Sequence, residues 1–554
     1  MDEAKICVGI DLGTTNTSVA ISRLNTDGQV KLSDCEITQR KGGGIRKLPI
    51  LPSILYRKPD GTELVGAEAK EYKESNINAA GAEVRYLENT KRDIGKTCKY
   101  QIDGQTYTPV DVAAKILSHI KKFSSIKDIR GDYYTVITVP ANFNNDQRLD
   151  TLEAARRAGF QEVSIGGSQD GIILYDEPKA AILGFLHEES ECRREERRLD
   201  VSEKKRILVI DIGGGTCDIC VEDVVEQDGQ YVFAHKAVGR ENLGGLDFDR
   251  FIGDDLAKHE KLRGVKLTKA EVASLCDMGQ MLKESLSDEI TYFIEENELK
   301  DFYKDEDWLD KLEDKIDLSS QTREIGGQTI TFELGLRQMV NAVDSLICDL
   351  KSASANKEER ELNKNMEALI DTTLSDHHIE RDSIDVIFLT GGMAKFFPLL
   401  ARLYEIFQKP IVTPSDPLLA VSRGAALYNK YRSVDKTGDI MPNAIMLEMR
   451  DGRLKTLVEM GEHIPVEDKQ VEGEFSTTSW KGVSIRLYEG KNEFDSRLRR
   501  FNSLYTIKFD ELLPPGTKFT IRYTVDETKC IRFQIDFPEI GKSYDVSGQI
   551  KEDK

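Results

Sequence analysis

Asp11-Leu12-Gly13-Thr14-Thr15 follows one apolar run, Ile6 to Ile10, and Asp211-Ile212-Gly213-Gly214-Gly215-Thr216 follows another, Ile207 to Ile210. A second strand-like run comes after each turn, Ser18 to Ile21 and Ile219 to Val221, so each reads as a β-hairpin with a tight, acidic tip. Glycine lets backbone N–H groups approach an anion, threonine adds a hydroxyl donor, and aspartate can hold the divalent cation that accompanies phosphates. A single turn of this kind is commonly no more than a turn. Two of them, about two hundred residues apart, point to a nucleotide site closed from both sides.

With 554 residues the chain has length for several domains and more than one core. A formal net charge of -20 with 31% charged residues disfavours nonspecific attraction to nucleic acid or an anionic membrane surface. Met1-Asp2-Glu3-Ala4-Lys5 lacks the basic head and apolar core of a signal peptide, and no run approaches a membrane span, so a cytoplasmic location is expected. Nine cysteines without a repeating spacing suggest reduced thiols rather than a disulfide framework. Cys217 and Cys220 have redox-motif spacing, but along a strand their odd separation puts them on opposite faces, and no second pair completes a zinc site. The seven histidines show no spacing that gathers ligands on one helix face.

Apolar strands alternate with amphipathic helical stretches up to about Tyr431, the pattern of an α/β domain with covered sheets. Thr135 to Val139 reads as a buried strand, Asn145 to Gly159 as a helix ended by its glycine, and Val386 to Thr390 as a strand entering the Gly391-Gly392 turn. From about Asn443 short alternating runs such as Val483 to Leu487 and Phe519 to Tyr523 mark an all-β module. The polar stretch 433–442 is the expected linker, giving domains 1–432 and 443–554. Glu188 to Arg206 and Glu295 to Gly327 read as inserted, solvated helix or loop.

Taken together, Gly9 to Ile21 (GIDLGTTNTSVAI), Val136 to Phe143 (VITVPANF), Asp211 to Asp218 (DIGGGTCD), Leu243 to Phe251 (LGGLDFDRF) and Leu389 to Gly392 (LTGG) resemble the seventy-kilodalton heat-shock protein chaperones. The first and third motifs belong equally to the superfamily of actin and sugar kinases; the fourth is specific to the chaperones. The resemblance implies an actin-like, two-lobed ATPase domain of duplicated ribonuclease-H-like cores, followed by a peptide-binding β-sandwich. It implies ATP or ADP with Mg²⁺, and K⁺ as a possible companion. Phosphoryl transfer needs chiefly positioning and charge neutralisation.

By this similarity Gly13, Thr14, Thr15, Gly213, Gly214, Gly215 and Thr216 would contact the phosphates, while Asp11, Asp211 and Asp218 would hold the metal or its waters. Lys91 matches the catalytic lysine that orients the attacking water, Glu177 its acidic partner, and Asp211 and Thr216 complete the catalytic group. Gly244, Gly245, Gln280, Lys283, Ser287, Gly391, Gly392, Lys395 and Asp416 fall at the remaining nucleotide contacts. Gly95-Lys96-Thr97 is not a Walker loop, because position 90 is threonine where that motif needs glycine. The adenine end departs from the family: Glu284 and Lys395 replace two clamping arginines and Gln280 replaces a glutamate, so weaker ATP binding is expected.

In the β module Leu447, Phe475, Val483, Ile485 and Phe519 fall where the family lines its peptide cleft, although alternation alone would also make them sandwich core. Both readings stand. The implied partners are extended or unfolded client peptides, a co-chaperone and a nucleotide-exchange factor, with no nucleic acid and no membrane. The sequence stops about where the sandwich would end, so the helical lid is expected to be missing and peptide exchange to be fast. A nucleotide-binding regulator with negligible hydrolysis is the alternative; a filament protein or sugar kinase fits the fourth motif and the β module poorly.

Overall fold

The computed structural model of the chain describes residues 6–25, 28–76, 84–160, 172–299, 301–348, 365–431, 439–495, 498–510, 512–526, 528–546 and 550–551. Most of the expected linker, 433–438, lies outside them. The rest of it does not behave as a linker: Asp439–Ile440 pairs antiparallel with His463–Ile464 as part of the β module.

Two sheets repeat one topology. In the first, the central strand Ile6–Leu12 runs antiparallel to Asn16–Leu24, which pairs with Val30–Asp34. On its other side it runs parallel to Tyr134–Val139, and that strand parallel to Ile172–Asp176. In the second, Lys205–Ile212 is central, with antiparallel Cys217–Gln227 and Gln230–Glu241 on one side and parallel Val386–Thr390 and Ile411–Val412 on the other. Strands covered on both faces should be continuously apolar, and every residue of Tyr134–Val139 and Val386–Thr390 is buried. Each acidic turn therefore joins the central strand of its sheet to the hairpin partner. The two turns meet: a Cβ on Gly214 would lie 2.1 Å from Thr15 Oγ1.

Helices cover the sheets. Pro109–Phe123 starts at a capping box between Thr108 and Asp111 and buries Val112, Ile116, Leu117 and Ile120 on one stripe. The helices Glu177–Ser190 and Ala420–Ala426 cross almost backbone to backbone, where a Cβ on Gly424 would stand 1.7 Å from the Ala180 carbonyl oxygen. Gly424→Ala should therefore destabilise the fold by about 1–3 kcal/mol through forced separation of these helices. A denaturant midpoint equal to that of the wild type would contradict this.

The segment expected as a solvated insertion, Glu295 to Gly327, packs instead. Trp308, Leu312, Ile316 and Ile325 are buried in the core of the second lobe, and Ser319–Ile325 forms a hairpin with Gln328–Leu334. Its few apolar residues are spread among acidic ones, which hid their common inward face. In the other expected insertion, Leu199 and Val201 join a buried cluster, while Arg198 pairs with Glu188 and Glu189.

The β module holds antiparallel sheets around Leu487, Tyr505, Val525, Ile535 and Phe537. Lys518–Val525 alternates inward and outward along its length, as its sequence predicts. The module sits directly on the first lobe. Asn145 Nδ2 donates to the Tyr505 hydroxyl (2.8 Å), the Ile531 N–H donates to Asn145 Oδ1 (3.1 Å), and the Asn502 N–H to Asp146 Oδ2 (2.6 Å). Lys529 Nζ reaches Asp176 Oδ2 at 2.6 Å, and Arg148 Nη2 holds Asp176 Oδ1 at 3.0 Å.

Glu489 is buried in the same interface, close to Arg499, Asp146 and Arg148. Burial pushes its carboxyl from an ordinary 4.5 up to about 7, against the pull of Arg499. The folded chain thus holds this proton more tightly than the unfolded chain does. Its stabilising effect is complete below about pH 4.5 and is lost as pH rises through about 7. We expect unfolding free energy to fall by up to roughly 3 kcal/mol over that window, and Glu489→Gln to flatten that part of the profile. An unchanged profile in the variant would refute the assignment.

Candidate functional site

A cavity of about 700 Å³ opens between the two sheets, lined by both acidic turns. Asp11 is the next-to-last residue of one central strand and Asp211 occupies the matching place in the other, two residues before Gly13 and Gly213. The first turn is braced from below: Ser53 Oγ donates to the Gly13 carbonyl (2.9 Å) and lies 2.9 Å from Thr17 Oγ1. The second is braced by the start of the Gly245–Leu256 helix, whose Gly245 and Leu246 N–H groups donate to the carbonyls of Gly213 (2.9 Å) and Gly214 (2.7 Å). That locks the glycine turn and explains why Leu243 to Phe251 accompanies it.

Lys91 lies in a short 3₁₀ turn, Thr90–Asp93, and reaches the floor of the cavity. Its Nζ is 2.6 Å from Glu177 Oε1, with the two side chains only 9% and 8% exposed. Glu177 is placed by a sharp switch from the strand Ile172–Asp176 to the helix Glu177–Ser190, with Pro178 in the helix's first turn. Asp11, Glu177, Asp211 and Asp218 converge around this one lysine. The protein surrounding Asp11, together with the Glu177 carboxylate, pushes its carboxyl up to about 7, against Lys91 and the Thr138 hydroxyl. Burial and then the neighbouring carboxylates raise Asp211 well above the usual range, and burial with Asp218 raises Glu177 against Lys91. Four acids facing the Lys91 ammonium, with Arg240 at Asp218, still leave an excess of negative charge in a confined space. Such a set suits a small hard cation that keeps several waters.

Most residues expected at the site line the cavity: Gly13, Thr14, Thr15, Gly213, Gly214, Thr216 and Gly245 near the turns, and Gln280, Lys283, Ser287, Gly391, Gly392 and Lys395 farther out. Three do not. Gly215 turns its carbonyl to Arg92 Nη2, Gly244 donates its N–H to Asp247 Oδ2 at 2.9 Å, and Asp416 accepts from the Leu418 N–H at 3.2 Å where the next helix starts. At the outer end Lys283 is tied to Asp249 at 2.6 Å, and Glu284 accepts from Gln280 Nε2 at 2.8 Å. Sequence reading missed Arg92 and Arg240. Arg92 crosses from the first lobe to the second turn, and Arg240 Nε approaches Asp218 Oδ1 at 3.5 Å with its guanidinium 5.5 Å from the Phe143 ring. No local motif marks them; only the closing of the lobes brings them in.

In the β module Leu447, Ile485 and Phe519 are buried in the sandwich core, whereas Phe475 and Val483 are half-buried at its edge. Phe475 stacks on Phe519 with ring centroids 5.8 Å apart. Cys217 and Cys220 do face opposite sides of their strand, in two different cores.

Residues 7–312 and 279–514 match the family model described as "Hsp70 protein". The chain belongs to the Hsp70 family. The match runs through both lobes and most of the sandwich, so this is an Hsp70 chain over nearly its whole length. It is also 28% identical over 499 residues, 87% of this chain and 70% of the relative, to "Chaperone protein DnaK" of Thermosipho africanus (strain TCF52B). Hsp70 membership accounts for the paired acidic glycine turns and for their attachment to a β module: this is a family of ATP-binding chaperones. Among the described residues no helix is long and apolar enough to cross a membrane.

Proposed function

We propose that this Hsp70 chain binds and hydrolyses Mg-ATP in the cleft between two actin-like lobes and binds extended apolar segments of client proteins on its sandwich. The observation that carries this reading is the buried Lys91–Glu177 pair, set among Asp11, Asp211 and Asp218 between the two glycine turns. The N–H groups and hydroxyls of Thr14, Thr15, Gly213 and Thr216 cradle the phosphates. Asp11, Asp211 and Asp218 would hold Mg²⁺ through its waters, and when bound the ion supplies neutralisation of the phosphate charge. Lys91 orients the attacking water with its N–H donors, and Glu177 keeps the ammonium aimed at that place. Arg92, from the opposite lobe, holds the second turn in position through the Gly215 carbonyl.

Peptide binding would couple to this site through the strand-to-helix switch at Asp176-Glu177. Asp176 meets Lys529 of the sandwich, while the next residue, Glu177, holds Lys91. Two neighbouring residues thus face the two functional regions, which gives nucleotide state a short route to bias sandwich docking.

A regulator with little turnover is favoured by one observation, the base end of the cleft. There Glu284 pairs with Gln280 and offers no cation to the ring, and Lys395 is exposed. Glu284→Arg should therefore tighten ATP binding by roughly 1 kcal/mol, about fivefold, through stacking of a guanidinium on adenine. Calorimetry with ATP on both proteins checks this. Tight, adenine-selective binding by the unmodified chain would overturn the weak-base account.

A further inference from the structure

Outside the nucleotide cleft, three chemically distinct donors come together in the interior of the second lobe. Cys220 and Glu222 stand two residues apart on one face of Cys217–Gln227, and His235 is the cross-strand partner of Glu222 on Gln230–Glu241. A register shift after Val221 skips Lys236 and brings His235 opposite Glu222. This is the way a β-bulge re-aims a side chain. Cys220 and Glu222 are 0% exposed and His235 is 2% exposed.

The ligand-capable atoms of the three residues lie within 4.8 Å of one another, with Cys220 Sγ 3.9 Å from Glu222 Oε1. His235 Nδ1 contacts the same carboxylate oxygen. Glu222 Oε2 and His235 Nε2 are buried with no hydrogen-bond partner among the described residues. The cluster is therefore not satisfied by the protein around it, and buried polar atoms left in that condition require an explanation.

We propose that Cys220, Glu222 and His235 form a structural site for a zinc-type divalent transition metal, pinning the hairpin that rises from the second phosphate turn. One thiolate, one imidazole and one carboxylate are a donor set for zinc, whereas Mg²⁺ and Ca²⁺ take oxygen alone. In the bound state the dication meets thiolate, carboxylate and neutral imidazole, so its two positive charges are matched by two negative ligands, and the protons those ligands carried leave as the metal binds. The fourth position falls to Glu222 Oε2 or a water. This site is separate from the nucleotide site and stands or falls apart from the proposed function.

The test uses the full chain, unfolded in chelator and refolded with Co²⁺ without nucleotide. The expected result is one cobalt per chain with a thiolate-to-cobalt charge-transfer band, a signal the all-oxygen nucleotide site cannot give. The band should vanish in Cys220→Ser and persist in Cys217→Ser, which changes the opposite face of the same strand. Zn²⁺ should displace the cobalt and raise the melting temperature of the wild type. No charge-transfer band in the wild type, or a band that survives Cys220→Ser, overturns the proposal. Should Cys220→Ser fail to fold, X-ray absorption of the zinc-loaded wild type decides: a sulfur at about 2.3 Å supports the site, and a shell of nitrogen and oxygen alone refutes it.

Discussion

Lys91→Met should slow single-turnover ATP hydrolysis by about 100- to 1,000-fold, the range seen when one preorganised donor is removed from a charged transition state. The argument rests on isolation. Lys91 lies among Asp11, Glu177 and Asp211, while Arg240 serves Asp218, and its Nζ is 2.6 Å from Glu177 Oε1 in a nearly dry setting. Methionine keeps the length of the stem and removes both the charge and the donors. Nucleotide affinity should change far less, because the proposed phosphate contacts are the backbone and hydroxyls of the two turns. Glu177→Gln should be milder, since the amide still accepts a hydrogen bond from Lys91. Rapid-quench measurements with Mg-ATP check both variants. Wild-type turnover in Lys91→Met would remove this residue from the chemistry.

Asp176→Ala should destabilise the protein by about 3–5 kcal/mol, the cost of leaving buried charges without their partner. Asp176 is 5% exposed and its two oxygens serve Arg148, at 1%, and Lys529, at 2%. Taking away the carboxylate removes the counter-charge that Arg148 and Lys529 share. Lys529→Met should cost less, because Asp176 keeps Arg148 and the thioether stem fills the space of the lysine chain. Its sharper effect should be on communication: the sandwich loses the tie to the residue next to Glu177, so peptides should accelerate hydrolysis less than in the wild type. Denaturant unfolding of both variants, with peptide-stimulated turnover of the second, tests the pair. Equal stability of Asp176→Ala and wild type would show that the triad is not holding the interface.

The parts of this molecule that were legible in its sequence are those built from neighbours along the chain. Each acidic turn carries its strand, its glycines and its hairpin partner within a dozen or so residues, and both stand where the pattern put them. Lys91 was legible only by resemblance, because a lysine in a short 3₁₀ turn has no local mark of its destination. Arg92, Arg240 and the Asp176–Lys529 tie were hidden because each depends on surfaces far apart in sequence. The Cys220–Glu222–His235 cluster left a faint trace, a cysteine and a glutamate at i, i+2 on one face of a strand, but its third member arrives through a register shift no periodicity predicts. Trp308 and Leu312 were misjudged for a related reason. Their acidic neighbours outweighed them in composition, yet the few apolar side chains face one way and pack. The expected peptide residues stayed divided between core and edge because alternation serves both.

The measurement that bears most directly on the whole account is single-turnover hydrolysis of Mg-ATP by the full chain, with and without a panel of extended apolar peptides. Turnover that peptides accelerate in the wild type, and that is slow and unresponsive in Lys91→Met, is the expected result. Tight nucleotide binding with no turnover above the Lys91→Met level, whatever peptide is added, would contradict it and leave a nucleotide-binding regulator as the better description.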